Sequence, residues 1–294
     1  MRVGIIGLRR MGRPIARNLT ARGFDITWFS RAGDAGLEAS GGLSARSPAE
    51  VAARVDVLLS ILPDAHAVEN IVRGPAGTLT AVPPDTIHIE MSTIDARRKA
   101  HLRDAMRAAG GDMLDCPILG SPATVANRQA VMYVSGDPAG IEAVRAVLDA
   151  ISGRWVYAGA FGAGTSLKYV AELLVAVHTV AVAEALVLGA RLGLDADVVQ
   201  NALDDSVAGS ASWKQLGPRM RSRKWLPAQA PIAVLQAVLD QIADASRNAD
   251  VDTPVFAAAR SVFAKAVADG WGEMDIAAIC DQVAAPRGTR PGAQ

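Results

Sequence analysis

Residues 162–168 read Gly-Ala-Gly-Thr-Ser-Leu-Lys and begin a long apolar stretch that continues to about residue 192. Its Lys168 is the only charged residue between Arg154 and Glu172. An amine at the mouth of a buried helix is costly to desolvate, and this makes its proton easy to tune for acid–base catalysis. The alternative is a lysine whose stem covers apolar surface while its ammonium group reaches water. Lys168 is therefore a candidate general acid/base.

The beginning of the chain has the pattern of a nucleotide-binding strand–turn–helix–strand unit. Residues 2–7 form an apolar run that ends on glycine, residues 11–22 have helical spacing, and residues 25–29 predict a second strand. In such units a glycine turn admits a pyrophosphate to the helix N-terminus, where free amides and the helix dipole bind anions. The candidate cofactor-binding turn reads Gly7-Leu8-Arg9-Arg10-Met11-Gly12.

Arg9 stands where the pattern G-x-G-x-x-G has its second glycine. That position normally lacks a side chain so that the backbone can approach phosphate. Arg9 therefore either narrows the site or turns outward and adds a positive charge.

The end of the second predicted strand bears on the choice of cofactor. An acidic residue there would accept hydrogen bonds from an adenosine ribose. The chain has Ser30 and Arg31 instead, and a guanidinium fork suits the oxygens of a 2′-phosphate. The alternative is an ordinary exposed arginine after a strand. The sequence thus favours NADP(H) over NAD(H) as the cofactor.

Composition narrows the class of protein. The 294 residues carry 30 basic and 30 acidic side chains without a basic run, which argues against nucleic acid as a partner. The two cysteines are far apart in the sequence, so we expect no disulfide framework and a location in the reducing cytoplasm. The four histidines do not have the spacing of metal ligands. The apolar stretch after residue 168 contains Glu172, His178 and Glu184, so we expect a core helix or subunit interface rather than a membrane span.

The alternation of elements predicts an α/β fold followed by helices. Up to about residue 159, predicted strands at 55–61, 86–90, 111–115, 130–135 and 155–157 alternate with helical patterns at 48–54, 65–72, 95–109 and 138–151. This indicates a doubly wound, mostly parallel sheet. Five further helices are predicted, at 163–192, 195–203, 230–248, 254–269 and 274–283. We expect a Rossmann domain at 1–161, an all-α domain at 162–285 entered through a long helix, and a disordered tail at 286–294.

Taken together, these motifs resemble the β-hydroxyacid dehydrogenase family, which includes enzymes like 3-hydroxyisobutyrate and 6-phosphogluconate dehydrogenase. The resemblance covers nearly the whole chain, in the family's order. The glycine turn is followed by Leu62-Pro63 and Ser92-Thr93. Residues 115–120 (Asp-Cys-Pro-Ile-Leu-Gly) look like the family's substrate loop D-A-P-V-S-G, and residues 162–168 look like its G-x-G-x-x-x-K. The resemblance implies that Lys168 is the catalytic acid/base. It also implies cofactor contacts at Leu62, Pro63, Ser92 and Thr93, substrate contacts at Ser92, Pro117, Leu119, Gly120, Ser121 and Glu172, and a homodimer through the helical domain.

Several positions depart from the family pattern. The serine of the substrate loop, which usually holds a substrate carboxylate, is Leu119, and the asparagine four residues after the lysine is Glu172. A late Lys-Asp pair appears as Ala237-Val238, and Arg128 stands where the loop usually ends on glycine. Glu172 lies one helical turn from Lys168 and would repel a substrate carboxylate. We therefore expect a larger or less polar carbonyl substrate than 3-hydroxyisobutyrate, unless Glu172 turns away.

The sequence predicts an NADP(H)-dependent oxidoreductase that transfers a hydride between the nicotinamide and a carbonyl or alcohol, with Lys168 moving the proton. Three alternatives remain open: an imine reductase with Glu172 stabilising an iminium cation, a non-enzymatic cofactor-binding or scaffold protein, and a decarboxylating phosphogluconate-type dehydrogenase. Retention of Lys168 argues against the first two. The missing basic anchors for a phosphate argue against the third.

Overall fold

The computed structural model describes residues 1–30, 35–39 and 41–285. Arg31 and the predicted tail at 286–294 lie outside these described residues. The chain divides into two compact units, Met1–Lys168 and Tyr169–Gln294. The predicted domain boundary at 161/162 precedes the long helix, whereas this division falls inside it.

The first unit contains all strands among the described residues. They are β1 (Arg2–Ile6), β2 (Asp25–Phe29), β3 (Leu43–Ser44), β4 (Val57–Ser60), β5 (Ile87–Glu90), β6 (Asp112–Asp115), β7 (Ile118–Leu119), β8 (Val131–Ser135) and β9 (Arg154–Gly159). The helices between them are α1 (Gly12–Thr20), α2 (Ala35–Ala39), α3 (Pro48–Ala52), α4 (Ala65–Arg73), α5 (Ala96–Ala108), α6 (Pro122–Ala126), α7 (Pro138–Ala143) and α8 (Arg145–Ile151), with a 3₁₀ turn at Thr78–Thr80.

These strands form one sheet in the order β3-β2-β1-β4-β5-β6-β8-β7, with β9 paired to β8. The strands from β3 to β6 run parallel, and β8 is antiparallel to both β6 and β7. The strand order reverses between β1 and β4, where doubly wound sheets bind their ligands. This confirms the predicted Rossmann sheet.

Both faces of the sheet are buried, as expected for parallel strands covered by helices. Consecutive residues belong to opposite faces: Ile5 and Leu59 lie in one core cluster, whereas Ile6 and Leu58 lie in the other. At the carboxyl ends of the strands, Ile6 pairs in register with Ser60, Ser60 with Glu90, and Glu90 with Asp115. We call this side of the sheet its carboxyl edge.

The second unit is helical. Helix α9 (Ala163–Arg191) begins in the first unit and continues into the second, followed by α10 (Ala196–Asp204), α11 (Ala211–Ser222), α12 (Ile232–Asn248), α13 (Pro254–Ala268), a 3₁₀ turn at Ile276–Ala278, and α14 (Ile279–Ala284). This confirms an all-α part entered through a long helix. Within the described residues, α9 is the one helix with the length and hydropathy of a membrane span. Its residues Ala176, Ala183 and Leu186 lie in the hydrophobic core of the second unit, whereas Val170, Leu174 and Leu188 are exposed.

Several elements differ from the prediction. Residues 138–151 form two helices rather than one, because Val144 leaves the helical region with φ −108° and ψ 11°. Helix α11 was not predicted, since Gly217 and Pro218 interrupt its pattern. Strand β7 and helix α6, which lie within and directly after the predicted substrate loop, were not predicted either.

Candidate active site

The glycine turn follows β1 at the carboxyl edge and has the backbone that the motif requires. Gly7 has φ +105°, and a Cβ there would lie 2.3 Å from the Ile61 carbonyl oxygen. A Cβ on Gly12 would lie 1.9 Å from the Gly7 carbonyl oxygen. Both glycines are therefore needed for α1 to begin directly behind β1.

The turn fits a dinucleotide pyrophosphate. Helix α1 starts with Gly12-Arg13-Pro14 after Met11, so its sequence offers no carboxylate or hydroxyl to cap the free amides. A phosphate can take that place. The Arg9 and Arg10 side chains are exposed, whereas Leu8 is buried. The effect of Arg9 on the phosphate site, narrowing it or adding a positive charge, stays a prediction.

The predicted cofactor residues after β4 and β5 are linked by a hydrogen bond. The Leu62 amide donates to Ser92 Oγ at 2.8 Å, and the Ser92 amide donates to Glu90 Oε1 at 2.6 Å. Ser92 is buried, Thr93 is half-buried and Pro63 is exposed. Ser30 is half-buried at the end of β2, on the same edge of the sheet. Since Arg31 lies outside the described residues, its predicted contact with a 2′-phosphate stays a prediction.

Polar side chains form a row across the sheet at its carboxyl edge. The buried polar row consists of Ser60, Glu90, Asp115 and Ser135, one from each of four strands paired in register. All four side chains are fully buried. Ser60 Oγ donates to Glu90, and Ser135 Oγ donates to Asp115 Oδ2 at 3.2 Å. The sequence reasoning missed this row.

Two further buried groups contact the row. His88, two residues before Glu90 on β5, lies 2.6 Å from Ser60 Oγ. Lys99 of α5 is 0 % exposed and donates from Nζ to Asp115 Oδ1 at 2.7 Å. Burial lowers the pKa of His88 to about 3, aided by the charge of Lys99. Burial raises the pKa of Glu90, opposed by Lys99 and by hydrogen bonds from Ser60 and Ser92. Both shifts favour neutral side chains.

The far end of the row holds the start of α9. The Thr165 amide donates to Asp115 Oδ2 at 2.7 Å, Thr165 Oγ1 donates to Asp115 Oδ1 at 2.8 Å, and the Gly164 amide donates to Ser135 Oγ at 2.9 Å. These contacts satisfy amides that the first turn of a helix otherwise leaves free. A Cβ on Gly164 would lie 2.7 Å from the carbonyl oxygens of both Asp115 and Tyr133. Only glycine lets α9 approach the strands this closely.

Lys168 lies one turn further along α9 and is buried. Its Nζ donates to the Ile118 carbonyl oxygen at 2.7 Å. Ile118 belongs to the predicted substrate loop, so the structure brings this loop and the lysine together. The Lys168 amine is thus buried rather than extended into water, and its role as the general acid/base stays a prediction.

The other loop residues are placed as follows. Pro117 is buried, and its carbonyl accepts from the Tyr133 amide at 2.9 Å. Leu119 is half-buried. Gly120 has φ +154°, and a Cβ there would lie 2.5 Å from Thr124 Oγ1. Ser121 caps α6, accepting from the Thr124 amide at 3.3 Å.

Two other departures from the family pattern can be placed. Arg128 stands where the family usually has glycine, and it keeps the left-handed backbone, with φ 57°. Glu172 is half-buried and belongs to the second unit, four residues after Lys168 on the same helix.

Within the described residues, no group of three or more histidine, cysteine, aspartate or glutamate side chains could hold a metal ion.

Comparison with known proteins shows the family of this chain. Residues 2–159 match the NAD binding domain of 6-phosphogluconate dehydrogenase, and residues 162–283 match the domain described as NAD-binding of NADP-dependent 3-hydroxyisobutyrate dehydrogenase. The fold and the matched domains define an NAD(P)-dependent dehydrogenase that acts on CH–OH groups. The chain belongs to the β-hydroxyacid dehydrogenase family.

Individual relatives match nearly the whole length of the chain. The L-threonate dehydrogenase of Cupriavidus necator is 30% identical over 285 residues, which cover 94% of each chain. Glyoxylate/succinic semialdehyde reductase 1 of Arabidopsis thaliana is 30% identical and covers 96% of this chain and 98% of its own. The structure of Mycobacterium tuberculosis 3-hydroxyisobutyrate dehydrogenase with L-serine has a TM-score of 0.88 at 25% identity, covering 97% of this chain and 100% of that one.

Proposed function

We propose that the protein is an NADP(H)-dependent oxidoreductase that interconverts a carbonyl compound and its alcohol, with Lys168 as the general acid/base. The observation that carries the proposal is the position of Lys168. Its buried amine donates at 2.7 Å to the Ile118 carbonyl of the substrate loop. Membership of a dehydrogenase family supports an enzyme over a scaffold protein.

The roles of the residues follow from their positions. The turn Gly7–Gly12 and the α1 N-terminus would hold the pyrophosphate, and Leu62, Pro63, Ser92 and Thr93 would line the nicotinamide half. When bound, the nicotinamide exchanges a hydride with the carbonyl carbon. Lys168 would give its proton to the carbonyl oxygen in reduction and take it back in oxidation. Burial of the lysine keeps competing water from that proton.

Replacement of Lys168 tests this role. We expect Lys168→Ala to lower turnover at least about a hundredfold and to change the dissociation constant of NADPH little. Lys214→Ala is the control, because Lys214 is exposed and pairs with Asp205. Full activity in the Lys168 variant would end the proposal.

The preference for NADP(H) is supported by Ser30-Arg31 and by the lack of an acidic residue there. Arg31→Ala should weaken NADPH binding about tenfold or more and leave NADH binding unchanged, since a lost guanidinium–phosphate pair costs free energy only with the phosphorylated cofactor. Arg22→Ala is a matched control, because Arg22 is an exposed arginine that follows α1 at the other edge of the sheet. Equal affinity of the parent for both cofactors would contradict this preference.

The substrate class is the finer part of the proposal. Leu119 removes the usual hydroxyl partner of a carboxylate, and Glu172 adds a negative charge one turn from Lys168. We therefore propose a neutral carbonyl compound, with a cationic imine as the second candidate because Glu172 would stabilise it. The names of the relatives point to carboxylates. A turnover screen with NADPH against glyoxylate, succinic semialdehyde, neutral aldehydes and cyclic imines decides, and efficient use of 3-hydroxyisobutyrate in the reverse direction would refute the neutral class.

We further propose a cytoplasmic homodimer formed through the helical unit. The dimer is supported by exposed apolar side chains on α9, namely Val170, Leu174 and Leu188. The cytoplasm is supported by the two free cysteines, since thiols stay reduced there. Light scattering should give twice the chain mass of 30.6 kDa. A monomer at micromolar concentration would contradict this.

A further inference from the structure

Lys99 is a buried charge for which the mechanism above has no use. It lies on the sheet-facing side of α5, one and two turns before the buried Leu102 and Met106. An apolar residue would serve at such a position, because replacing a buried ion pair by well-packed apolar groups is often neutral or stabilising. Stability alone therefore does not account for an ammonium group there.

We propose that the Lys99–Asp115 ion pair is a positioning pair, which fixes the first turn of α9, and with it Lys168, at the carboxyl end of β6. Its importance for turnover rests on the proposed function of Lys168. Its effect on the placement of α9 does not depend on that role.

The contacts of Asp115 carry the first step. Its Oδ1 accepts from Lys99 Nζ at 2.7 Å and from Thr165 Oγ1 at 2.8 Å, and its Oδ2 accepts from the Thr165 amide at 2.7 Å and from Ser135 Oγ at 3.2 Å. Three donors thus bind one fully buried carboxylate, and the single proton of Ser135 Oγ is shared between Oδ2 and the Asp115 carbonyl oxygen, which lies 3.1 Å from Oγ. A full negative charge at a helix N-terminus is favourable there, but its burial requires a counter-charge, and Lys99 supplies it.

The second step connects this carboxylate to Lys168. Thr165 precedes Lys168 by three residues on α9, and Asp115 precedes Ile118 by three residues in the substrate loop. Asp115 contacts Thr165, and Ile118 accepts from Lys168 Nζ at 2.7 Å. The helix and the loop are therefore joined at two points, one turn apart. A change in the Asp115–Thr165 contact should therefore also displace Lys168 relative to the Ile118 carbonyl.

The experiment compares the parent protein with Lys99→Met, Asp115→Asn and the double variant. Two readouts need no substrate: hydrogen exchange of the amides at 163–168 by mass spectrometry, and the rate at which acetic anhydride acetylates Lys168. The third readout is kcat for NADPH-dependent reduction of succinic semialdehyde or another carbonyl compound that is turned over. Arg107→Met is the matched control, since Arg107 of α5 also pairs with β6, through Asp112, and Arg103 remains to hold that carboxylate.

For Lys99→Met we expect exchange at 163–168 and acetylation of Lys168 to rise about tenfold or more, with kcat falling by a similar factor and NADPH affinity little changed. Arg107→Met should move none of these readouts. The double variant should recover protection and part of kcat, because it removes the unpaired charge while the Asn side chain still accepts from Thr165.

Parent-like exchange and acetylation in Lys99→Met would overturn the proposal, as would a double variant no better than the single ones. Loosening of α9 without a change in kcat would overturn its link to turnover. If Lys168→Ala keeps full activity while Lys99→Met loosens α9, the proposed function fails and the positioning pair stands.

Discussion

The close approach of α9 to the sheet makes a strong prediction for Gly164→Ala. In a helix interior, alanine is more favourable than glycine by about 1 kcal/mol. At this position, however, the new methyl group would lie 2.7 Å from two backbone oxygens, those of Asp115 and Tyr133. Backbone oxygens cannot rotate away, so α9 must move outward.

The magnitude follows from the contacts that the movement breaks. Overpacking a buried position costs about 1–3 kcal/mol. Loss of a hydrogen bond to a charged acceptor, here from the Thr165 amide to Asp115, costs a further ~1.5–3 kcal/mol. After subtraction of the helix-propensity gain of about 1 kcal/mol, we expect a net loss of roughly 1.5–5 kcal/mol. Because Lys168 moves with the helix, turnover should fall about a hundredfold.

The matched control is Gly140→Ala in α7 of the same unit. A Cβ there would meet only side-chain methyl groups, 3.5 Å from Ile87 Cδ1 and 3.7 Å from Leu114 Cδ2. We expect this variant to be stabilised by up to about 1 kcal/mol and to keep full turnover. Calorimetry and steady-state kinetics on both variants test the argument. A Gly164→Ala protein as stable and as active as Gly140→Ala would refute it.

Two further predictions concern His88 and Leu119. Because burial lowers the pKa of His88 to about 3, the unfolded state binds one more proton between pH 6.5 and 3. Stability is therefore lost as the pH falls through this range, by up to about 1.4 kcal/mol per unit. His88→Gln should remove this slope relative to the parent, whereas substitution of the exposed His66 should leave it unchanged; an unaltered slope in His88→Gln would contradict the burial argument. Leu119→Ser should lower KM for succinic semialdehyde about tenfold, because the serine hydroxyl restores a hydrogen-bond donor to the substrate carboxylate. KM for a neutral aldehyde should not fall. An unchanged KM for succinic semialdehyde would show that Leu119 does not contribute to substrate binding.

The parts of the fold that the sequence predicted are those with local signals. The apolar run ending at Gly7, the helical spacing of Met11, Ile15 and Leu19, and the apolar stretch after residue 162 each specify an element within one window. Helix α9 ends one residue before its predicted end. The elements that were missed are short or interrupted, like β7 with two residues and α11 with Pro218 inside it.

The buried polar row could not be predicted in the same way. Ser60, Glu90 and Asp115 are separated by 25 residues or more, and each is an unremarkable polar residue at the end of an apolar run. Only the parallel register places them side by side. One local signal did exist. Lys99 shares the spacing of Leu102 and Met106, so its position on the apolar face of α5 marked it as a buried charge in need of a partner.

The described contacts that hold the first turn of α9 come from the sheet and from the substrate loop. The residues that make these contacts are Asp115, Ser135, Thr165 and Ile118, and all four lie in the first unit. Leu119, the departure inside the substrate loop, is not among these residues. A change at Leu119 therefore leaves these contacts of Lys168 and α9 in place, because the sheet, the start of the helix and the Ile118 carbonyl make them. For the function proposed above, this arrangement gives a physical reason why the chain could keep the family's hydride-transfer chemistry while accepting a different carbonyl compound.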